Sequence, residues 1–413
     1  MAQLNITLNQ EEILQLLSKD RDATFAKLLQ DSLNSILKVE SAAQLKAEPY
    51  ERTDERTGSR NGFRDRQLTT RIGNITLSVP KHRNGEAFHT LIFDNYSRSE
   101  TALIATMAEM VVNGVSTRKV SQVMETLCGK TYSKSTVSEA CKELDKNVKE
   151  FRERPLTGEY PFMTVDATYF KVRENGRIIS KAFMIAYATN SEGHREIIGF
   201  GIYANESKQT WNDFLINLKD RGLHGVKMIT SDAHEGIQNA ISKVFPEAAW
   251  QRCQFHFTRN IIDKTPKKYQ AGLAGELQEM FNCKTLSEAR KQKDAIIADY
   301  RDIAGEAMDC LDEGFESAMS VMVLPHYLRK YFRTSNHIER LNKELKRRSK
   351  VIGIFPNEAS LLRLMGSVLI ERNEEIISRK CIFTGKTYQG LLATDAPEKL
   401  IKIAGEQRNL LAS

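Results

Sequence analysis

The sequence predicts a mixed α/β fold, with one central sheet that is partly antiparallel and partly parallel and helices packed on its faces. Three observations predict it. Between residues 162 and 203, the runs "FMTVDATYFKV", "IISKAFMIAYAT" and "REIIGFGIY" are separated by "RENGR" and "NSEGH", which reads as an antiparallel meander with polar, glycine-containing turns. Next, the short apolar runs "VKMIT" and "AAWQRC" alternate with amphipathic helices over Ser207 to Arg221 and from about His234 to Val244. That alternation is the pattern of strands joined by crossover helices. Finally, from Pro266 to about Val323, and again after Phe355-Pro356, Leu, Ala, Met and Phe recur at helical spacing among charges.

The elements before the sheet follow in order. Residues 9–48 read as two or three polar, leucine-spaced helices, and 50–66, "YERTDERTGSRNGFRDR", as an exposed loop because charge and glycine leave no periodicity. "LTTRIGNITLSV" alternates on both sides of Gly73-Asn74, a two-residue hairpin signal. Three helical segments are predicted between Thr101 and about Glu150. Val120, Val123, Met124 and Leu127 line one, Gly129 breaks it, and Ser135 caps the next, so this stretch has the outline of a helix-turn-helix. "ERPLTGEYP", 153–161, reads as a linker. The expected domains are an N-terminal region with a small β-hairpin over 1–99, a helix-turn-helix-like segment over 100–152 and the first part of the sheet-bearing core over 160–265. An α-helical insertion over 266–325, the second part of the core over 326–378 and a helical tail over 379–413 complete them.

The net charge is +7 in 413 residues, and it is clustered. Pro325 to Lys350 holds nine Lys/Arg against two Glu, and Arg52 to Arg83 holds eight Lys/Arg against three acids. Such windows favour a polyanion partner, most simply nucleic acid. No apolar run is long enough to cross a membrane and the N-terminus lacks a signal-peptide pattern, so a cytoplasmic protein is expected. The six cysteines are scattered and form no CxxC pair, which argues against a disulfide framework or a four-cysteine zinc site. No GK[ST] phosphate loop and no nucleophile elbow are present, which disfavours ATP-driven and serine-hydrolase chemistry.

The strand and helix order β-β-β-α-β-α-β is that of a ribonuclease H-like domain. On it, Asp166 lies in the middle of the first strand and Asp232 directly follows the strand ending "MITS". A charge in a central strand is costly unless it is paired or metal-bound. Strand four should run parallel beside strand one, which brings the two carboxylates together at a site suited to a divalent cation. Each also has a plainer reading, Asp166 as a solvent-facing strand acid and Asp232 as a helix cap. A two-metal phosphoryl-transfer site needs a third carboxylate. Glu339, in "RTSNHIERLNKELKRRSK", is the candidate: it shares a helix face with Asn342, Lys343 and Lys346, whereas Glu344 faces Arg340, Arg347 and Arg348. Locally, Asn336 and Glu339 also fit a capping box. Cys253 and His256, in "QRCQFHF", have half of a zinc-ligand spacing without a second half, so a core role is expected for Cys253. His234 and His337 flank the acids, where surface or capping roles are expected.

"DAHEGIQNAISKVFPEAAWQRCQFH", 232–256, resembles the signature of the mutator family of bacterial insertion-sequence transposases. "VDATYFKVR" around Asp166 and "TSNHIERLNKELKRR" around Glu339 resemble its first and third acidic blocks, and "RNGFRDR" with "LSVPKHRNG" is similar to its N-terminal DNA-binding region. The resemblance implies a DDE transposase in which Asp166, Asp232 and Glu339 bind two Mg²⁺ ions, replaceable by Mn²⁺, supported by Cys253, His256 and Asn336. The CxxH pair would buttress the site. The implied partners are double-stranded DNA, as terminal inverted repeats and as target, and further copies of the chain in a synaptic complex of at least a dimer. Neither a membrane nor ATP is implied, and the setting would be the bacterial nucleoid. The residues expected to contact DNA are Arg60, Arg64, Arg118, Lys119, Lys134, Arg259, Lys343, Lys346, Arg347 and Arg348. Two other readings fit the same residues: a non-catalytic DNA-binding descendant, and a ribonuclease H-like nuclease without strand transfer.

Overall fold

The computed structural model describes residues 21–51, 53, 55–70, 73–84, 86–90, 101–128 and 132–412. The chain divides into two compact units, Met1–Glu143 and Leu144–Ser413.

In the first unit, helix α1 (Arg21–Leu45) packs on a hairpin of β1 (Ser59–Thr70) and β2 (Gly73–Arg83). Leu37, Leu68, Ile75, Leu77 and Val79 form their shared core. Two expectations change here. Residues 59–66 are strand, not loop: the ladder is regular except at a bulge between Arg60 and Phe63, where Gly62 has φ +71°. Charged side chains on the exposed strand hid its periodicity. Gly73 and Asn74 are also not the turn, since they pair with Thr70 and Thr69 in the ladder; residues 71–72 lie outside the described set. A single helix spans 21–45, and any helix before it is likewise outside that set.

Helices α2 (Thr101–Val112), α3 (Thr117–Cys128) and α4 (Lys134–Lys142) bury Met107, Val120, Met124, Tyr132, Val137 and Ala140 against one another. Ser133, not Ser135, caps α4, its hydroxyl accepting from the Thr136 amide at 3.0 Å. Gly129 lies outside the described residues.

The second unit opens with α5 (Leu144–Glu153), whose Asp145 forms a bidentate pair, 2.7 Å in each arm, with Arg363 of α14 (Glu358–Ile377). Residues 154–161 run along the body of the unit, with Leu156 buried and its amide donating to Arg221 O at 2.7 Å.

The sheet follows the predicted order. Strands β3 (Phe162–Glu174), β4 (Arg177–Thr189) and β5 (Arg195–Tyr203) form the meander. Next come α6 (Lys208–Asp220), β6 (Met228–Ser231), α7 (Glu235–Val244) and β7 (Ala249–Arg252). In space the strands lie β5-β4-β3-β6-β7, antiparallel across β5, β4 and β3 and parallel across β3, β6 and β7. Met163, Val165, Met184, Ala186, Ile198 and Ile229 turn to one face and pack with Trp211, Phe214 and Leu215 of α6 and Ile237 and Ile241 of α7.

On the other face, Phe162, Met228 and Ala249 meet Leu324, Leu328, Phe332, Phe383 and Tyr388. Those residues belong partly to α12 (His326–Phe332), α15 (Gly385–Leu392) and their flanking segments. The C-terminal α16 (Ala396–Ala412) closes the outer edge of β7: Gln407 accepts from the Trp250 amide at 2.9 Å and donates to its carbonyl at 2.8 Å. An otherwise unpaired edge is thereby satisfied. Helices α8 (Gln254–Asp263), α9 (Lys267–Phe281), α10 (Leu286–Tyr300) and α11 (Gly305–Ala318) have a core of their own, including Phe257, Leu277, Ile296 and Phe315. Among the described residues, no helix is long and apolar enough to cross a membrane.

Candidate active site

Register and side-chain alternation assemble the site. The β3–β6 ladder pairs Met163 with Ile229 and Thr164 with Thr230. Continued two residues further, it sets Asp166 level with Asp232. The β6–β7 ladder pairs Ser231 with Arg252, and the Cys253 amide donates to Ser231 O at 2.7 Å, so Cys253 continues the same row. Val165 and Ile229 face α6 and α7. Side chains alternate along a strand, so Asp166 faces the opposite side, and the parity of β6 and β7 directs Asp232 and Cys253 there too.

That side is covered by α13 (Asn336–Ser349). The chain entering α13 is docked by the Thr230 hydroxyl donating to Phe332 O at 2.7 Å and the Gln254 amide donating to Arg333 O at 3.0 Å. Ser335 reaches Cys253, its amide 3.3 Å and its hydroxyl 3.2 Å from Sγ. Two turns on, Asn342 Nδ2 donates to Asp166 Oδ2 at 2.8 Å. Positions 335, 339 and 342 share a helix face, so Glu339 is held between a contact to Cys253 and a contact to Asp166.

Glu339 Oε1 lies 3.6 Å from His256 Nε2 and 3.3 Å from the Ser335 hydroxyl. The local capping box does not form: Ser335, not Asn336, occupies the cap position, and its hydroxyl is directed to Cys253 and Glu339 and accepts no bond from the first turn. Asn336 itself is exposed. Asp232 Oδ1 accepts from the His234 amide at 3.4 Å, and His234, not Asp232, caps α7 through its ring, which accepts from the Gly236 amide at 3.2 Å. His337 is half-buried rather than freely exposed: it packs on Tyr187 with ring centroids 4.4 Å apart, and burial pushes it down to about 3.

Electrostatics mark the row. Burial, then the charge of Asp232, pushes the Asp166 carboxyl up to about 7. The Cys253 side chain raises the His256 imidazole to about 9 against its burial, with help from Glu339 and Asp166. Glu206, in the turn before α6, is a fourth carboxylate within electrostatic reach; burial and then Asp232 push it up. Sequence reasoning did not single out Glu206, Ser335 or a contact from Asn342 to Asp166. Only Asn342 had a signal, its place one turn after Glu339 on the same face.

The Asp166 shift has a measurable consequence. An unfolded aspartate titrates near pH ~4, so the folded protein holds the Asp166 proton more tightly between about pH 4 and 7. The stability this contributes is fully present below about pH 4 and is lost as pH rises through 7, by at most ~1.4 kcal/mol per pH unit. Urea unfolding in chelator should show this loss in the wild type and a shallower one in Asp166→Asn. Equal slopes would contradict the shift.

The expected DNA contacts separate into groups. Arg64, Arg118, Lys119, Lys134, Arg259, Lys343 and Lys346 are exposed. Arg60 is tied to the Ala47 and Glu48 carbonyls at 2.6 and 3.1 Å. Arg348 is not available for DNA: its side chain is 4% exposed and is paired with Glu344 at 2.8 Å and Glu371 at 3.6 Å, because its position on α13 turns inward against α14. Glu344 also binds Arg347 and Arg372, and these guanidiniums, Arg347 foremost, hold its carboxyl far below the usual carboxylate range.

A carboxylate row under a basic helix is the equipment of a protein that works on nucleic acid, and comparison with known proteins says which kind. Residues 1–379 match the family described as "Transposase, Mutator family", and the chain belongs to it. It is 42% identical over 388 residues to the transposase for insertion sequence element IS256 in transposon Tn4001 of Staphylococcus aureus, covering 92% of this chain and 99% of that one. It is 40% identical over 348 residues to the transposase for ISRM5 of Rhizobium meliloti, covering 84% and 87%. With the transposase for IS1081 of Mycobacterium tuberculosis it shares 37% over 365 residues, covering 88% and 86%. Its function is accordingly DNA transposition.

Proposed function

We propose that this transposase is a DDE enzyme on a ribonuclease H-like core, cutting the ends of its insertion sequence and joining them to target DNA at Asp166, Asp232 and Glu339. The observation that supports it is the convergence of the Asp166–Asp232 row with the α13 face bearing Glu339 and Asn342.

The residues fit a hard divalent cation. Asp166, Asp232 and Glu339 offer carboxylate oxygens, and Asn342 Oδ1 is buried with no hydrogen-bond partner beside Asp166. Oxygen donors of this kind suit Mg²⁺, with Mn²⁺ as a substitute. When bound there, two such ions would favour deprotonation of the attacking hydroxyl and offset charge developing on the scissile phosphate. Asn342 keeps Asp166 aimed at the cleft. The exposed Lys343 and Lys346 hold the flanking phosphates and Arg259 adds to them, so affinity falls with salt. Water attacks first and frees a 3′-hydroxyl, which then attacks a target phosphodiester in line. One phosphodiester is exchanged for another, so no ATP is consumed.

The first unit, with the Arg64 hairpin and the α3–α4 pair carrying Arg118, Lys119 and Lys134, recognises the terminal inverted repeats. Two ends must be held at once, so the working form is a dimer or larger assembly at the nucleoid. The test is Mg²⁺-dependent nicking and joining of an end-bearing duplex. Wild type should do both, and Asp166→Asn should bind the end without cutting it. Cutting by Asp166→Asn at the wild-type rate would sink the reading, and cutting without joining would favour a nuclease.

A further inference from the structure

The sequence offers Cys253 and His256 as half of a metal site; the fold brings a third ligand from a distant helix. One ligand atom each of Cys253, His256 and Glu339 lies within 4.8 Å of the others. Two further features distinguish this cluster from a packed cysteine. Cys253 is wholly buried, yet its sulfur takes both the amide and the hydroxyl of Ser335, the outer-shell arrangement that supports a metal thiolate. His256 Nδ1 is buried and makes no hydrogen bond of good geometry, although the Cys253 side chain is close enough to raise the imidazole, and Nε2 is the nitrogen that faces Glu339.

Donor chemistry selects the ion. A thiolate, an imidazole and one carboxylate match a tetrahedral zinc-class ion with one position open, and a thiolate is a poor ligand for Mg²⁺. Bonds of ~2.0–2.3 Å put tetrahedral donors roughly 3.3–3.8 Å apart. His256 and Glu339 are already 3.6 Å apart, so a small inward movement of Cys253 or of the imidazole completes the set.

We propose that Cys253, His256 and Glu339 form a thiophilic metal site that takes one Zn²⁺-class ion. Only a thiolate and a neutral imidazole nitrogen ligate, so binding releases to solvent the protons that the Cys253 sulfur and the ligating His256 nitrogen carry. Glu339 belongs to both sites, so an ion held here draws its carboxylate away from Asp166 and Asp232. Zinc-class ions therefore inhibit cleavage that depends on Mg²⁺. The thiophilic site stands without the two-metal reading; only this inhibition rests on it.

The experiment titrates Co²⁺ into metal-free, full-length protein and follows thiolate-to-cobalt charge-transfer absorption. One equivalent per chain should produce the band, and Zn²⁺ should displace it. Cys253→Ser should lack the band. His256→Ala, a change at a partly exposed position, should bind Co²⁺ at least tenfold more weakly, and circular dichroism shows whether each variant is folded. Cys283→Ser and Cys310→Ser should retain the band. A wild type with no band, or a band that persists in both folded Cys253→Ser and folded His256→Ala, overturns the site. In a second arm, Zn²⁺ is added to cleavage reactions containing excess Mg²⁺. Inhibition supports a shared Glu339, and undiminished cleavage beside an intact cobalt band overturns the sharing. Failure of the two-metal reading would look different: Glu339→Gln would still cut.

Discussion

Glu339→Gln will bind an element-end duplex as tightly as the wild type and cut it about a thousandfold more slowly. The amide keeps the size of the side chain and its place between the Ser335 and Asn342 contacts, so the fold and the basic face of α13 persist. What it loses is one anionic oxygen donor. A metal-held reaction centre stabilises its transition state by several kcal/mol, and each ~1.4 kcal/mol is a factor of ten in rate. Electrophoretic mobility shifts measure binding, and single-turnover nicking in Mg²⁺ measures cutting. Retained cutting would remove Glu339 from the catalytic set.

Glu344→Gln, five residues along the same helix, will do the reverse. Glu344 accepts from Arg347, Arg348 and Arg372 at 2.7, 2.8 and 3.1 Å. Removing the charge takes from the buried Arg348 its 2.8 Å ionic partner, and the contact to Glu371 is longer, at 3.6 Å. Removing one partner of a buried ion pair costs on the order of 3 kcal/mol, so the urea midpoint should fall markedly. Cleavage per folded molecule should remain near wild type at temperatures where the variant is native. Loss of cleavage by a fully folded Glu344→Gln would contradict this division of labour between the two glutamates.

The order of strands and crossover helices in the sheet was legible because alternation and turn residues are local signals. The shared level of Asp166 and Asp232 followed from that order. What was not legible depended on contacts between residues far apart in the chain. Arg372 as a partner of Glu344, Ser335 as a donor to Cys253 and Gln407 at the edge of β7 leave no local trace. Local signals also misled where tertiary demands overrode them. Asn336 has the chemistry of a cap but stands one residue past the cap position, and Arg348 lies in a basic run but turns into the protein. Residues 59–66 hid a strand because both of its faces are polar.

The acids are distributed along the chain in a way that matters during synthesis. Asp166 and Asp232 are translated well before Glu339, and α8 to α11 intervene before α13 can close over the row. A nascent or prematurely terminated chain that stops short of residue 336 has the first unit complete and the carboxylate row unfinished. The last helix, through Gln407, seals the edge of the same sheet. Under the proposed mechanism, fragments from stalled translation can occupy element ends but cannot cut them, so incomplete products would act as competitors of the full-length protein.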